Sequence, residues 1–132
     1  MILQEGVMSR EHLIFDVETY EHHTAGDLCL LAEMLHPQKT ELPFSEYSLA
    51  HAEILPHGRT VPHKLVKSTE VYWIIAGRGI LYMEGEPVEL KKGRAVVIPP
   101  SSVQYVENNG DEKLEFLCIV SPPWSKSDEV IC

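Results

Sequence analysis

From residue 47 onward the chain reads as short apolar runs broken by turn-forming residues. Residues 47–55 (YSLAHAEIL) end at Pro56, His57, Gly58 and Arg59, and residues 60–65 lead into a polar turn at 66–69. Residues 70–76 (EVYWIIA) are rich in β-formers and stop at Gly77, Arg78 and Gly79. Further runs at 80–84, 88–90, 95–98 and 103–107 are closed by glycine, proline or asparagine turns, and a last run covers 113–120. Strands this short, at near-regular spacing, predict an antiparallel sandwich or barrel. The runs 71–76 and 114–120 are apolar on both faces. That predicts strands packed on one side against the core and covered on the other, by a second subunit.

The first 46 residues are polar and irregular except for residues 27–35 (DLCLLAEML). There Leu28, Leu31 and Leu35 fall at i, i+3 and i+7, Asp27 stands where a helix cap belongs, and Pro37 lies just beyond. This spacing predicts one short N-terminal helix laid over an open sheet end. Residues 122–132 read as an extended tail in which Trp124 is an anchor. One domain over 1–132 follows, with a core at about 47–121, an extension at 1–46 and a tail at 122–132.

Composition narrows the partners. The chain has 132 residues, 44% of them hydrophobic and 23% charged, in the range of a folded globular protein. Asp and Glu number 20 against 11 Lys and Arg, for a formal charge of -9. Such an acidic chain repels phosphate backbones and anionic lipid, so neither nucleic acid nor membrane is expected as a partner. No apolar run approaches the roughly 20 residues of a membrane helix. Residues 1–11 lack the basic and apolar regions of a secretion signal. Cys29, Cys118 and Cys132 form neither a zinc motif nor a disulfide framework, which makes a reducing cytoplasm the default location.

Four polar residues on or beside the strands carry candidate chemistry: His51, His63, Glu70 and Gln104. Alternate strand residues share a face. If His63 and Glu70 point inward, the turn between them brings both to one place. Burying an unpaired charge costs several kcal/mol, so they satisfy each other or a metal satisfies both.

The spacing of these residues resembles that of the cupin superfamily. The first stretch runs His63–x–Leu65, four residues, Glu70, six residues, Gly77; the second runs Gly93, five residues, Pro99–x–Ser101, two residues, Gln104, three residues, Asn108. Both motifs occur in order, separated by a short gap at 78–92. The resemblance covers roughly residues 49–120, and the flanking segments are similar to small single-domain cupins of the mannose-6-phosphate isomerase-like kind. It implies a cupin jelly-roll barrel, all-β apart from the short helix, with a divalent metal held by three histidines and a glutamate. Here the motif positions hold His63, Leu65, Glu70 and Gln104. Leu65 cannot ligate, Gln104 offers only an amide oxygen, and Ser101 replaces a glycine. His51, one strand earlier and about 4.8 Å away across a ladder, is expected to point inward and complete the set. His51, His63, Glu70 and Gln104 would suit Zn, Fe, Mn, Ni or Co.

Each residue also has a plain structural reading. His63 and Glu70 pair in a core, Gln104 serves sheet backbone or an organic ligand, and His51 faces solvent. His22 and His23 read as a solvated loop, Cys118 as buried filler, and Asn108 as a turn residue. Two functions remain in view. One is a metal-dependent small-molecule enzyme, isomerase-like or oxygenase-like, acting on a sugar or small organic acid, with Glu70 as a metal ligand or, if not bound to the metal, as general base instead. The other is a cupin that binds or senses a small molecule without turnover. Arg59, Lys64 and Arg78 are candidates to attract an anionic substrate. A homodimer is expected from the two-faced strands.

Overall fold

A computed structural model describes residues 13–132; the stretch read for a secretion signal lies outside the described residues. Among the described residues eleven strands follow one another: β1 (His23–Thr24), β2 (Leu30–Leu35), β3 (Ser48–Ile54), β4 (His63–Leu65), β5 (Thr69–Ala76), β6 (Arg78–Met83), β7 (Glu86–Lys91), β8 (Ala95–Ile98), β9 (Gln104–Glu107), β10 (Leu114–Ser121) and β11 (Glu129–Ile131). They form two antiparallel sheets, in the orders β1-β2-β3-β10-β5-β8 and β11-β4-β9-β6-β7. The expected all-β jelly roll is present. Its ladders make two separate sheets, and among the described residues no ladder joins them into one closed barrel.

Strand alternation builds the core. Phe116, Ile74, Leu81, Leu90, Ile98 and Leu114 are each 1% exposed or less, and they fill the space between the sheets. Neighbouring positions on β5, β8 and β10 face the other way. Asn108 pins one end of the layer: its Nδ2 donates to the Ile54 and Glu112 carbonyls, and its Oδ1 accepts from Gly110 N. Gly77, between β5 and β6, has φ +83, and a Cβ there would lie 2.4 Å from the Lys113 carbonyl oxygen. Only glycine fits so close an approach. Ser101, at the position where the motif expects glycine, also has a positive φ of 64. Its amide donates to Leu65 O and its hydroxyl to Val66 O at 3.1 Å, which helps hold a backbone shape that glycine adopts more freely.

The N-terminal helix expected over residues 27–35 is not formed. Leu28 sits in a turn with φ +73, closed by its amide on Ala25 O, and its side chain is exposed. Asp27 caps this turn, its Oδ1 accepting from Cys29 N at 3.1 Å. Residues 30–35 then pair antiparallel with β3. The ladder to β3 pairs these residues apart from an irregularity between Glu33 and Leu35, and tertiary pairing outweighs a weak local helical spacing. Helical geometry among the described residues is limited to single 3-10 turns such as Val17–Thr19 and Lys126–Asp128.

The tail is a strap. β11 pairs with β4, placing Glu129 opposite Leu65 and Ile131 opposite His63. Asp128 fastens it: its carbonyl accepts from Val66 N, and its carboxylate accepts from Lys67 N at 2.7 Å and Ser68 N at 3.1 Å. Trp124 anchors it as expected, its amide on Ser48 Oγ and its carbonyl 2.7 Å from His36 Nε2.

Candidate functional site

Inside the molecule lies a cavity of about 230 Å³. Inward residues of β2, β3, β4, β5 and β10 line it, together with the turn at 24–27 and the strap residues Trp124 and Glu129. His63, Leu65, Glu70 and Tyr72 reach it from β4 and β5, and Phe116 and Cys118 from β10.

His63 is 3% exposed, and its Nδ1 donates to the Val61 carbonyl at 2.8 Å. That bond turns Nε2 toward Asp27, whose Oδ2 lies 3.4 Å away. Asp27 is fixed in turn by the Cys29 amide on its side chain and by the Val61 amide on its carbonyl. Glu129 arrives on the strap. Ligating atoms of Asp27, His63 and Glu129 all lie within 4.8 Å of one another.

Glu70 and Gln104 are also brought into this interior, but they bond to each other. Gln104 Nε2 donates to Glu70 Oε1 at 2.9 Å, and the Tyr72 hydroxyl donates to Gln104 Oε1 at 2.6 Å. The amide of Gln104 is therefore engaged at both ends. The Tyr72 ring is held 4.6 Å from that of Phe116. Burial pushes the Glu70 carboxyl up to about 7, working against the bond from Gln104 and the attraction of His63. Burial likewise holds the Tyr72 hydroxyl and the Cys118 thiol well above their usual values, so the first stays a neutral donor and the second an unreactive thiol.

His51 does not join them. Ser48 and Ala50 of β3 face the cavity, so strand alternation sends His51 to the opposite side of the sheet. There its Nδ1 lies 2.8 Å from His22 Nε2. The expectation that it points inward is corrected by this parity. Arg59, Lys64 and Arg78 do not line the cavity either; Arg59 lies over the Tyr105 ring and beside Glu107. Lys39 is the lysine on the cavity wall, and it is paired with Glu33. Sequence reading missed Asp27 and Glu129 as site residues. Asp27 carried the signal of a cap, and Glu129 carried no spacing signal, because only the strap's docking on β4 brings it in.

The cupin domain profile matches residues 50–120. The chain belongs to the cupin family. Its relatives include an uncharacterized protein of Methanocaldococcus jannaschii, 36% identical over 105 residues that cover 80% of this chain and 82% of the relative. An oxalate-binding protein of Thermotoga maritima is 30% identical over 89 residues, 67% of this chain and 74% of that protein. Among solved structures, a predicted oxalate decarboxylase from Thermotoga maritima superposes with a TM-score of 0.72 at 19% identity, covering 82% of this cupin and 97% of that chain. That likeness speaks for the fold.

A divalent metal, which cupins usually hold, can be tested against the residues present. The motif positions alone fit poorly, since Leu65 has no donor atom and Gln104 is engaged. The wider pocket fits well. An imidazole whose Nδ1 is tied to a carbonyl presents Nε2 in the orientation seen for metal-bound histidine. The Asp27 carboxylate faces that nitrogen and a Glu129 carboxylate lies close by, and a mixed N/O set suits Zn, Fe, Mn, Ni or Co.

Proposed function

We propose that this cupin is a metal-dependent protein acting on a small oxygen-rich molecule, a sugar or a short organic acid. The observation that carries the reading is the convergence of Asp27, His63 and Glu129 in a cavity large enough for such a ligand. His63 would hold the ion with the two carboxylates, and Glu70 would stand beside it. A divalent ion bound there supplies Lewis acidity to a carbonyl or hydroxyl and acidifies bound water. Glu70 is the proton-transfer group of this reading. Its Oε1 accepts from Gln104, so a proton on this carboxyl sits at Oε2; burial raises the metal-free group to about 7, and a bound cation would draw it back toward the ionised form that takes up a proton. Gln104 and Tyr72 orient Glu70 and touch no metal in this account. The isomerase-like and oxygenase-like outcomes, and the mannose-6-phosphate isomerase-like label, stay within this proposal as alternatives of substrate.

Charge ties ligand to metal. The cavity wall carries Asp27, Glu33, Glu70 and Glu129 against His23, His63 and Lys39. A dianion such as oxalate would be repelled from it until a cation is present. His63→Ala should therefore lower the metal content of untagged protein by about one ion per chain, and oxalate should bind the loaded protein but not the stripped one. Metal content that falls in neither His63→Ala nor Glu129→Gln would reject the reading. Binding without turnover is the second reading, favoured by the similarity to a protein named for binding oxalate and by the engaged Gln104. Loaded protein that retains oxalate chemically unchanged through prolonged incubation, and likewise leaves candidate sugars and organic acids unchanged, would favour it.

We also propose a homodimer through the outer face of the six-stranded sheet. Leu49, Ile119, Val71 and Val97 form one cross-strand row there, and Leu117, Trp73 and Ala95 the next. Trp73 is 43% exposed and Val97 59%, a large apolar surface to leave in water. Light scattering should give about twice the chain mass, and Trp73→Arg should return it to the monomer value. A wild-type monomer at working concentrations would remove this part of the proposal.

A further inference from the structure

The outer face of β3 carries a second cluster that the pocket does not use. His51, 7% exposed, has its Nδ1 2.8 Å from His22 Nε2, with the two rings edge to face. On its other side, His51 Nε2 lies 3.3 Å from Glu115 Oε2, one strand over on β10. Glu53, two residues along β3 on the same face, brings Oε1 to 3.9 Å from His22 Nε2. Ligating atoms of His22, His51 and Glu53 all lie within 4.8 Å of one another.

We propose that His22, His51 and Glu53 form a transition-metal site separate from the pocket, with Zn, Ni or Co as the fitting ions. Three observations support it. First, Glu115 is the acceptor facing His51 Nε2. It fixes the tautomer that leaves a lone pair on Nδ1, directed at the other two donors, which is the carboxylate–histidine arrangement that orients metal-bound imidazoles. Second, the donors stand about as far apart as ligands sharing one ion at bonds of roughly 2.0–2.2 Å, so occupation needs only small shifts. Third, the charge balance admits a cation. Lys113 bridges Glu53 and Glu115 at 2.5 and 3.2 Å, one positive group against two negative ones, and both imidazoles are neutral as ligands. Two nitrogens and one oxygen leave a coordination position for water. The site would clamp the segment before β1 onto β3, since His22 lies in that segment and Glu53 and His51 in the strand.

The test uses the whole untagged chain, stripped of metal and titrated with Co(II) or Zn(II). His63→Ala disables the pocket and should still bind about one equivalent, with the visible absorption of low-symmetry Co(II) bound to nitrogen. Adding His22→Gln should lower that affinity at least tenfold. His22 lies outside the core, so this variant is expected to fold; His51→Ala serves as a second check by circular dichroism and metal content. Zn(II) should also raise the melting temperature of His63→Ala and leave that of the His22→Gln double variant unmoved. A His63→Ala protein that takes up no metal, or a double variant that binds as tightly as its parent, would overturn the site. The pocket reading can fail independently: wild type would then bind one equivalent, sensitive to His22→Gln and indifferent to His63→Ala.

Discussion

Replacing Phe116 with alanine should lower the unfolding free energy by about 3–5 kcal/mol, read from urea denaturation. Phe116 is 1% exposed on β10, the strand that β3 and β5 flank on either side. Truncation removes a large buried surface and leaves a void that strands fixed by ladders on both sides close only in part. The effect should reach the site. The Phe116 ring lies against Tyr72, and Tyr72 holds the Gln104 amide that in turn holds Glu70. Phe116→Leu should lose less stability than Phe116→Ala. A loss under about 1 kcal/mol for the alanine variant would mean that the ring is not the packing centre described here.

A second large effect concerns pH. In the unfolded chain Glu70 ionises at its ordinary 4.5, whereas in the metal-free fold burial raises it to about 7. Between those values the folded protein keeps a proton that the unfolded chain has released. The stability contribution is thus fully present below 4.5 and is lost as pH climbs through 7, on the order of 3 kcal/mol in all. Glu129, also raised by burial, acts in the same direction. Metal-free protein should therefore unfold at markedly lower urea at about pH 8 than at about pH 5, and Glu70→Gln should flatten most of that slope. Saturating metal should offset the loss, because a cation favours the ionised carboxyl. An unchanged slope in Glu70→Gln would place the effect elsewhere.

The strands and turns of the jelly roll were legible because their signals are local: a glycine at 77, prolines at 99 and 100, and runs of β-formers between them. Residues 27–35 misled because β2 is apolar on both faces. Leu30 and Ala32 lie on one side and Leu31 on the other, so no alternation marked a strand, and the leucine spacing imitated a helix. His51 failed for a related reason. Strand β3 buries both of its faces, and parity within a strand says which residues share a side without saying which side is the interior. His63, Glu70 and Gln104 were placed together because a short turn and a motif spacing bound them. Asp27 and Glu129 lie at opposite ends of the chain, and their meeting depends on a turn and a strap that no local pattern announced. His22 was read as solvated because its partner could be found only once the face of His51 was known.

Glu129 enters the pocket from the strap, whereas Asp27 belongs to the first turn before β2. On the ribosome the two are made far apart in time. A chain synthesised only as far as β10 carries Asp27 and His63 but not Glu129, so the proposed ligand set is completed only when the strap follows and docks on β4.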